Sequence, residues 1–331
     1  GCFIIHETEQ AGYPWEVVRG SWSGEQYDLM ETGKDSGRCE VEGWLTNNAA
    51  RQLFSMAGKD FVKLKEEAAH PDFEPVELDV LASVSIRNSL DTIRSSNVVA
   101  RLEGSNPHLK DEHVVFLAHW DHLGQDLGLQ GDTIYNGAVD NASGTAGLLE
   151  IAAAFTQLQT PPDRSLLFLA VTAEEQGLLG SRYFVENPIY PLENNIAAIN
   201  MDAMNVWGLT RDVTVVGVGN SDLDNLIHKI ASTRARIVRP DPEPEKGFFY
   251  RSDHFSFAKK GVPTLYIQSG IDYIGRPEGW GTRIREKYTR ENYHKPSDEI
   301  GPEWDIRGLM DDLQLLFLVG QKLSSRDWTS Q

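Results

Sequence analysis

Imidazole and carboxylate side chains recur directly after short apolar runs in the middle of the chain. They are His119, Asp121 and His122 after residues 114–118, Glu174 and Glu175 after residues 166–171, and Asp202 after residues 196–200. Asp140 lies between the first two groups, in a polar turn that leads into a helical pattern. Crowded carboxylates repel one another unless cations hold them, and imidazole mixed with carboxylate suits zinc or a similar first-row divalent ion. The sequence therefore predicts a metal centre, and the scarcity of cysteine favours a catalytic site over a structural one.

Each of these residues also has an ordinary structural explanation when it is taken alone. Asp140 is placed where a cap of the following helix belongs, and Glu174 with Glu175 suits a solvated first helical turn. A single histidine such as His119 is more often a core or surface residue than a ligand. These separate explanations do not account for the whole set, because four successive elements would each have to place imidazole or carboxylate groups at the same sheet edge by coincidence.

The elements that would position these side chains alternate between short apolar runs and segments of helical periodicity. Strands are predicted over residues 113–118, 165–171, 196–200, 213–218 and 263–267, and helices over residues 144–158, 178–186, 223–232 and 304–323. Continuous apolar strands are typical of a sheet covered by helices on both faces, so the predicted class is α/β. Ligands of such sheets bind at the carboxyl ends of the strands, which is where the candidate residues lie.

The chain before about Gly104 is irregular and offers no group of chemically competent residues. Its clearest element is a helix that starts near residues 47–54, capped by Thr46 or Asn47.

Cys2 and Cys39 are the only cysteines. The sequence is about equally consistent with a disulfide bond between them and with two buried free thiols. The chain begins on a Gly in an apparent strand with no signal region, so we expect upstream sequence to be missing. Residues 241–245, a proline and acid stretch, predict an exposed loop.

Composition excludes several classes of protein. The chain has 331 residues, of which 40% are hydrophobic and 24% charged, as in ordinary globular proteins. Its 49 acidic and 31 basic residues give a formal net charge of −18, which would repel a phosphate backbone and disfavours nucleic acid as a partner. The apolar runs are of strand length, far short of the roughly 18 residues that cross a bilayer, so no membrane span is expected.

The residues at the sheet edge also match a known family. The motifs occur in the order His119-x-Asp121, Asn136-Gly137-Ala138-x-Asp140-Asn141-Ala142-Ser143-Gly144, Glu174-Glu175-x-Gly177-x-x-Gly180-Ser181, Asn200-Met201-Asp202 and Tyr293-His294-x-Pro296-Ser297-Asp298. Over residues 97–323 the chain resembles the co-catalytic zinc aminopeptidases, whose superfamily includes glutamate carboxypeptidase II and the glutaminyl cyclases. The resemblance implies a mixed, mostly parallel sheet of the zinc-exopeptidase, phosphorylase/hydrolase-like kind. Residues 1–45 resemble, more weakly, the end of a small β-rich protease-associated domain, which leaves residues 46–331 as the catalytic domain.

The resemblance implies a role for each matching residue. Asp140 would bridge two zinc ions, His119 and Asp202 would complete one site, and Glu175 and His294 would complete the other. Asp121 would accept a hydrogen bond from the far nitrogen of His119 and fix its tautomer. Glu174 would be the general base in hydrolysis of the peptide bond at a free amino terminus. Enzymes of this kind with a protease-associated segment are usually exported, so a periplasmic or extracellular location is expected.

Several assignments stay open at the level of sequence. His254, in Ser252-Asp253-His254, is the rival of His294 for the last ligand position, although the family pattern favours His294. His122 is interpreted as structural, with a supporting role beside the site as the alternative. Tyr250 and Arg251 are candidates for the substrate pocket or for an exposed loop.

Three other functions compete with an aminopeptidase. A glutaminyl cyclase would use one zinc ion on the same fold. A glutamate-type carboxypeptidase would need cations for the substrate carboxylate, for which Arg251, Arg283 and Arg285 are available. A non-catalytic protein of the transferrin-receptor kind usually has a broken ligand set, whereas the set here is complete. The preferred side chain at the cleaved residue and the oligomeric state are not predicted.

Overall fold

The computed structural model describes residues 1–22, 24–30 and 39–328, and the chain divides into two compact units. One unit takes in residues 1–22 and 30–94, and the other takes in residues 23–29 and 95–331. Among the described residues, the structure contains no helix that is both long and apolar enough to cross a membrane.

The smaller unit combines one pair of strands with short helices. Its elements are β1 (Cys2–His6), α1 (Thr8–Ala11), α2 (Trp15–Trp22), β2 (Glu42–Thr46), α3 (Asn47–Met56) and α4 (Phe61–Ala68). The two strands pair in parallel, with Phe3 opposite Gly43. Helix α3 is capped by Thr46, whose hydroxyl accepts a hydrogen bond from the Ala49 amide at 3.2 Å. Of the two predicted caps, Thr46 and Asn47, Thr46 is therefore the one that forms. The chain before Gly104 is therefore more regular than predicted over residues 2–22 and 42–68, whereas residues 74–97 contain no helix or strand and are irregular as predicted.

The two cysteines lie in the described part of this smaller unit. Both Cys2 and Cys39 are free thiols and both are exposed. Neither of the two predicted alternatives, a bridge or two buried thiols, is therefore formed.

The larger unit is built on a mixed seven-stranded sheet. Its strands are β3 (Val98–Leu102), β4 (His113–His119), β7 (Ser165–Val171), β8 (Asn195–Asn200), β9 (Asp212–Val215), β10 (Ile237–Pro240) and β11 (Thr264–Ser269), and β5 (Gly124–Gln125) pairs with β6 (Ile134–Tyr135) as a separate hairpin. The spatial order is β10-β9-β11-β8-β4-β7-β3. Strands β11, β8, β4 and β7 are neighbours and run parallel to one another. Strand β3 runs antiparallel to β7, and β9 runs antiparallel to β11. The predicted mixed, mostly parallel α/β sheet is confirmed.

Helices cover both faces of this sheet. They are α5 (Ser143–Thr156), α6 (Leu179–Glu186), α7 (Leu223–Thr233), α8 (His254–Ala258), α9 (Trp280–Glu291) and α10 (Arg307–Leu323). Alternate residues of β4 face opposite ways: Phe116 packs in a core formed with α5, α7 and α10, whereas Leu117 packs in a second core with α6 and α8. Burial on both faces explains why the central strands are continuous apolar runs.

The predicted elements of the larger unit are found with small shifts of their ends. Six of its strands and α-helices were not predicted: β3 and β10 at the two edges of the sheet, the hairpin strands β5 and β6, and helices α8 and α9. The last predicted helix begins at Arg307 instead of residue 304. Residues 241–243 have no regular structure, and a single 3₁₀ turn follows at Pro244–Lys246.

Candidate metal centre

Three adjacent parallel strands deliver candidate residues to one edge of the sheet. His119 is the last residue of β4, Glu174 and Glu175 follow the end of β7, and Asp202 follows the end of β8. Strands β7 and β8 lie on either side of β4, so their carboxyl ends meet around His119. The structure therefore brings these side chains together in the way that the strand pattern predicts.

Asp140 lies at the middle of the group. Its Oδ1 is 3.1 Å from Nε2 of His119, and its Oδ2 is 3.3 Å from Nε2 of His294. The carboxylate thus faces two imidazole rings, one with each oxygen. This arrangement is the one expected of a carboxylate shared between two metal ions.

The remaining carboxylates divide between the two imidazoles. Asp202 Oδ1 lies 3.3 Å from His119 Nε2, and Glu175 Oε2 lies 3.0 Å from His294 Nε2. Glu174 is farther away, with its Oε2 4.0 Å from His119 Nε2. None of these six side chains is more than 12% exposed.

Burial and mutual charge shift the pKa values of this group strongly. Burial acts to raise the pKa of Asp140, but the adjacent His119 and His294 outweigh it and hold the pKa well below its usual range. Burial acts to lower the pKa of His294, but Glu175 and Asp140 outweigh it and raise the pKa to about 10. In contrast, burial raises the pKa of Glu174 well above its usual value, reinforced by the charges of Glu175 and Asp202.

The donor set fits a pair of first-row divalent metal ions. Two neutral imidazoles and three carboxylates offer one nitrogen and two or more oxygens on each side of Asp140, a mixture that suits zinc. The ligand atoms of His119, Asp140 and Asp202 lie within 4.8 Å of one another, as do those of His122, Asp140 and Glu175. Four buried acids beside two imidazoles leave an excess of negative charge that divalent cations would balance.

Two loops fix Asp140 through the groups around it. The Asn141 side chain donates to the Met201 carbonyl at 3.0 Å and accepts from the Gly144 amide at 2.9 Å, which joins the Asp140 loop to the residue before Asp202. A side chain at Gly144 has no room, since its Cβ would lie 2.4 Å from the Met201 carbonyl oxygen. On the other side, Asp298 accepts from the Asp140 amide at 3.1 Å.

Asp121 contacts His119 through a different atom from the one predicted. Nδ1 of His119 lies 2.9 Å from the main-chain carbonyl oxygen of Asp121. The Asp121 carboxylate instead accepts from the Ala173 amide at 2.8 Å and from the Thr172 hydroxyl. The carboxylate therefore anchors the segment that precedes Glu174, and the carbonyl oxygen is the group in reach of the imidazole N–H.

Asp202 has a further partner that the sequence did not reveal. Ser252 Oγ donates to Asp202 Oδ2 at 2.5 Å and accepts from the Asn200 side-chain amide at 2.6 Å. The only signal of this contact in the sequence is the place of Ser252 in the Ser-Asp-His motif. The next residue, Asp253, is fully buried, and burial raises its pKa to about 7.

The two other histidines occupy distinct surroundings. Nδ1 of His122 lies 2.7 Å from Glu175 Oε1, so this ring supports a candidate ligand from the side away from His294. The ring of His254 stacks between Phe249, at 5.0 Å, and Tyr266, at 4.8 Å. Burial lowers the pKa of His254 to about 3. The structure thus places His294, and not its rival, beside Asp140 and Glu175.

The two candidate pocket residues belong to an aromatic cluster that precedes α8. Tyr250 is 63% exposed and its ring lies 5.1 Å from that of Phe255. The Arg251 guanidinium lies 5.4 Å from the ring centre of Phe248. Their contact with substrate stays a prediction.

Most of the larger unit matches a known protein family. Residues 97–317 match the model of peptidase family M28. Aminopeptidase NAALADL1 of Mus musculus is 36% identical over 140 residues, which are 40% of this chain and 17% of that protein. Leupeptin-inactivating enzyme 1 of Streptomyces exfoliatus is 26% identical over 272 residues, 77% of this chain and 53% of that protein. The chain therefore spans about half or less of the length of these relatives.

The fold is also similar to that of a solved structure. A zinc aminopeptidase from Bacillus subtilis superposes with a TM-score of 0.50 at 21% identity, covering 70% of this chain and 51% of that one. At this identity the similarity concerns the fold.

Proposed function

The chain belongs to peptidase family M28, and on that basis we propose that it is a zinc-dependent aminopeptidase that releases the N-terminal residue of peptides. The observation that carries the proposal is the Asp140 carboxylate, which presents one oxygen to His119 and the other to His294. A single imidazole with scattered acids would suit many metal sites. Two imidazoles that share one carboxylate suit two ions held side by side.

The residues divide naturally between two zinc ions. His119 and Asp202 would hold one, Glu175 and His294 the other, and Asp140 would be shared. Zinc bound there supplies an activated water and polarises the scissile carbonyl group. The Ser252 hydroxyl and the His122 ring orient Asp202 and Glu175, as hydrogen-bonding partners of metal ligands commonly do.

Glu174 is proposed as the general base. It lies beside the group, 4.0 Å from His119 Nε2, while Asp140 and Asp202 lie closer to that nitrogen. Its carboxylate would take a proton from the attacking water and pass it to the nitrogen of the leaving amine. Asp121 supports this role by holding the Ala173 amide, next to Glu174 in the chain.

The charge of the chain is consistent with substrates that carry a free amino terminus. A net charge of −18 favours the approach of an α-ammonium group over that of an acidic peptide. This charge favours an aminopeptidase over a glutamate-type carboxypeptidase.

A panel of aminoacyl-p-nitroanilides, assayed with and without chelator while zinc per chain is measured, tests the proposal. We expect chelator-sensitive release of nitroaniline and about two zinc ions per chain. One zinc ion without release would favour glutaminyl cyclisation, and the absence of zinc would favour a non-catalytic binding role. The panel also ranks the side chains accepted at the cleaved residue.

Glu174→Gln separates the general base from the ligands. The amide cannot carry the proton, so we expect kcat to fall by about 10²–10⁴-fold while the zinc content stays normal. Asp140→Asn is the matched contrast, because loss of the shared carboxylate should release metal. Undiminished turnover in Glu174→Gln, or two zinc ions retained in Asp140→Asn, would contradict the respective assignment.

Two broader proposals rest on the resemblance rather than on the site. We infer that residues 1–45 are the end of a protease-associated domain and that the enzyme acts in the periplasm or outside the cell. Fractionation of the source cells with the peptidase assay as readout tests the location. Activity confined to the cytosolic fraction would contradict it.

A further inference from the structure

Asp298 joins the two loops that carry Asp140 and His294. It lies four residues after His294, and its carboxylate accepts hydrogen bonds from the Val139 amide at 3.1 and 3.2 Å and from the Asp140 amide at 3.1 Å. Its main-chain carbonyl oxygen accepts a further hydrogen bond from the Ala138 amide at 3.0 Å. Three consecutive amides of the Asp140 loop therefore end on one residue of the His294 loop.

The carboxylate of Asp298 is itself held from a third direction. The Tyr288 hydroxyl of α9 donates to its Oδ2 at 3.1 Å, and the ring of Trp207 packs 5.6 Å from that of Tyr288. The Asp298 amide donates to the Lys295 carbonyl at 3.1 Å, which closes a turn immediately after His294. Asp298 is 1% exposed, so little water competes for these hydrogen bonds.

We propose that Asp298 is a positioning residue that sets the separation of Asp140 and His294 and thereby the affinity of the second metal ion. The inference rests on the proposed function, since it requires that these residues hold zinc. An ion held by Glu175, His294 and Asp140 would have two of its three ligands on the loops that Asp298 joins. An ion held by His119, Asp202 and Asp140 would have only Asp140 on these loops, and Asn141 ties that side to the Asp202 loop separately.

The chemistry of the contact requires a carboxylate. Oδ2 receives three donors, the Val139 and Asp140 amides and the Tyr288 hydroxyl, and the Val139 amide is shared with Oδ1. An asparagine has one acceptor oxygen, and its NH₂ group would be turned towards an N–H or O–H donor. Asp298→Asn therefore keeps the shape of the side chain but loses part of the contact.

Zinc titration of the full chain at fixed free zinc concentrations, with zinc per chain as the readout, tests the proposal. In Asp298→Asn we expect the free zinc at half occupancy to rise by about 10–100-fold for one of the two ions, the range found for partners of metal ligands. The other ion should shift less. Tyr288→Phe removes one donor and should shift the same phase by a smaller factor.

Glu299→Gln is the matched control. Glu299 is the next residue and is exposed, and its carboxylate accepts from the Asn136 side chain at 3.1 Å without contact to the amides of the Asp140 loop. Its zinc titration should coincide with that of the parent. Circular dichroism and thermal unfolding of the zinc-free proteins show whether the variants are folded.

The outcomes distinguish this inference from the proposed function. A parent chain that binds no zinc would overturn both. A parent that binds two ions, together with a folded Asp298→Asn of unchanged titration, would overturn only the positioning role. If zinc-free Asp298→Asn does not fold, the Tyr288→Phe titration tests the role instead. A shift of one of the two zinc-binding phases supports the positioning role, and a titration identical to that of the parent overturns it.

Discussion

Asp140 shows how a single buried acid is fixed on all sides. Its oxygens face two imidazole nitrogens, its amide donates to Asp298, and the next residue bonds to the loop before Asp202. A carboxylate with one rotamer and a fixed main chain loses little freedom on binding an ion. The preorganised position of this side chain is therefore a property of the loops and not of the metal alone.

Strand β4, which ends at His119, begins with a second buried ionisable residue. His113 begins β4, is 2% exposed, and has no hydrogen-bond partner on either ring nitrogen within the described residues. Its ring packs 4.8 Å from that of Tyr190. Burial lowers the pKa of His113, Arg101 lowers it further, and Asp111 opposes them.

His113→Phe should make the zinc-free protein less sensitive to acid. Because the folded-state pKa is below that of the unfolded chain, His113 takes up a proton more readily when unfolded, and stability falls as the pH drops below about 6.5. Phenylalanine keeps the contact with Tyr190 and removes the proton. We expect the loss of unfolding free energy between pH 8 and pH 5, measured in urea, to be smaller in the variant. An unchanged loss would show that His113 is as easily protonated in the folded chain as in the unfolded one.

The sequence was sufficient to identify the residues of the candidate site but not the contacts between them. Three ligand candidates, His119, Glu175 and Asp202, follow strand ends, which are visible as the ends of apolar runs. Asp140 was predicted from a polar turn before a helix, and His294 from the motif of the family that the chain resembles. Ser252 and Asp202 are 50 positions apart, and Asp298 and Asp140 are 158 positions apart. No local pattern reveals such a pair, because it forms only when distant loops meet at the sheet edge.

At the scale of elements, the approach of α10 to the sheet depends on one glycine. A Cβ at Gly320 would lie 2.3 Å from Cζ of Phe116 and 3.3 Å from Cζ of Phe155. Phe116 cannot turn aside, since it is fully buried and stacks on Phe168 at 5.8 Å. The helix and the strand therefore meet at a distance that only glycine allows.

Gly320→Ala should destabilise the larger unit although alanine favours helix. The gain in helix propensity is about 1 kcal/mol, whereas forcing a methyl group into a packed core typically costs about 1–3 kcal/mol. We expect a net loss in the free energy of unfolding measured in urea. The control is Gln321→Ala on the exposed side of the same helix, which should stay within about 0.5 kcal/mol of the parent. A stabilised Gly320→Ala would mean that α10 can shift away from the sheet.

The elements that were predicted differ physically from those that were missed. Central strands such as β4 are buried on both faces and are apolar throughout, so their sequence alone indicates them. The edge strands β3 and β10 each contain an arginine, and β10 ends on a proline. Helix α9 is rich in charged residues and only its Gly281 is buried. Its apolar stripe is narrow, formed by Trp280, Ile284 and Tyr288, and is easily missed among the charged residues.

At the scale of the whole molecule, the excess of acid makes stability depend on bound cations. The formal charge is −18, and within the larger unit four acids lie buried around two imidazoles. Without divalent ions, protonation of the His119 and His294 rings, whose pKa values the surrounding acids raise, offsets part of this negative charge. The remaining carboxylate charge is poorly screened in the buried site. Folding and metal binding are therefore coupled.

Removal of zinc should lower the temperature at which the larger unit unfolds. An ion that binds only the folded state stabilises it by RT ln(1 + [L]/Kd), about 2.7 kcal/mol at a free concentration of 100 Kd. We expect a chelator to lower the calorimetric transition and zinc to restore it, whereas magnesium, which prefers six oxygen ligands, should not. Asp140→Asn should unfold at nearly the same temperature with or without zinc, because the shared ligand is gone. A parent transition that ignores both chelator and zinc would mean that the acids around Asp140 are held by the protein alone, and the metal centre would have to be abandoned.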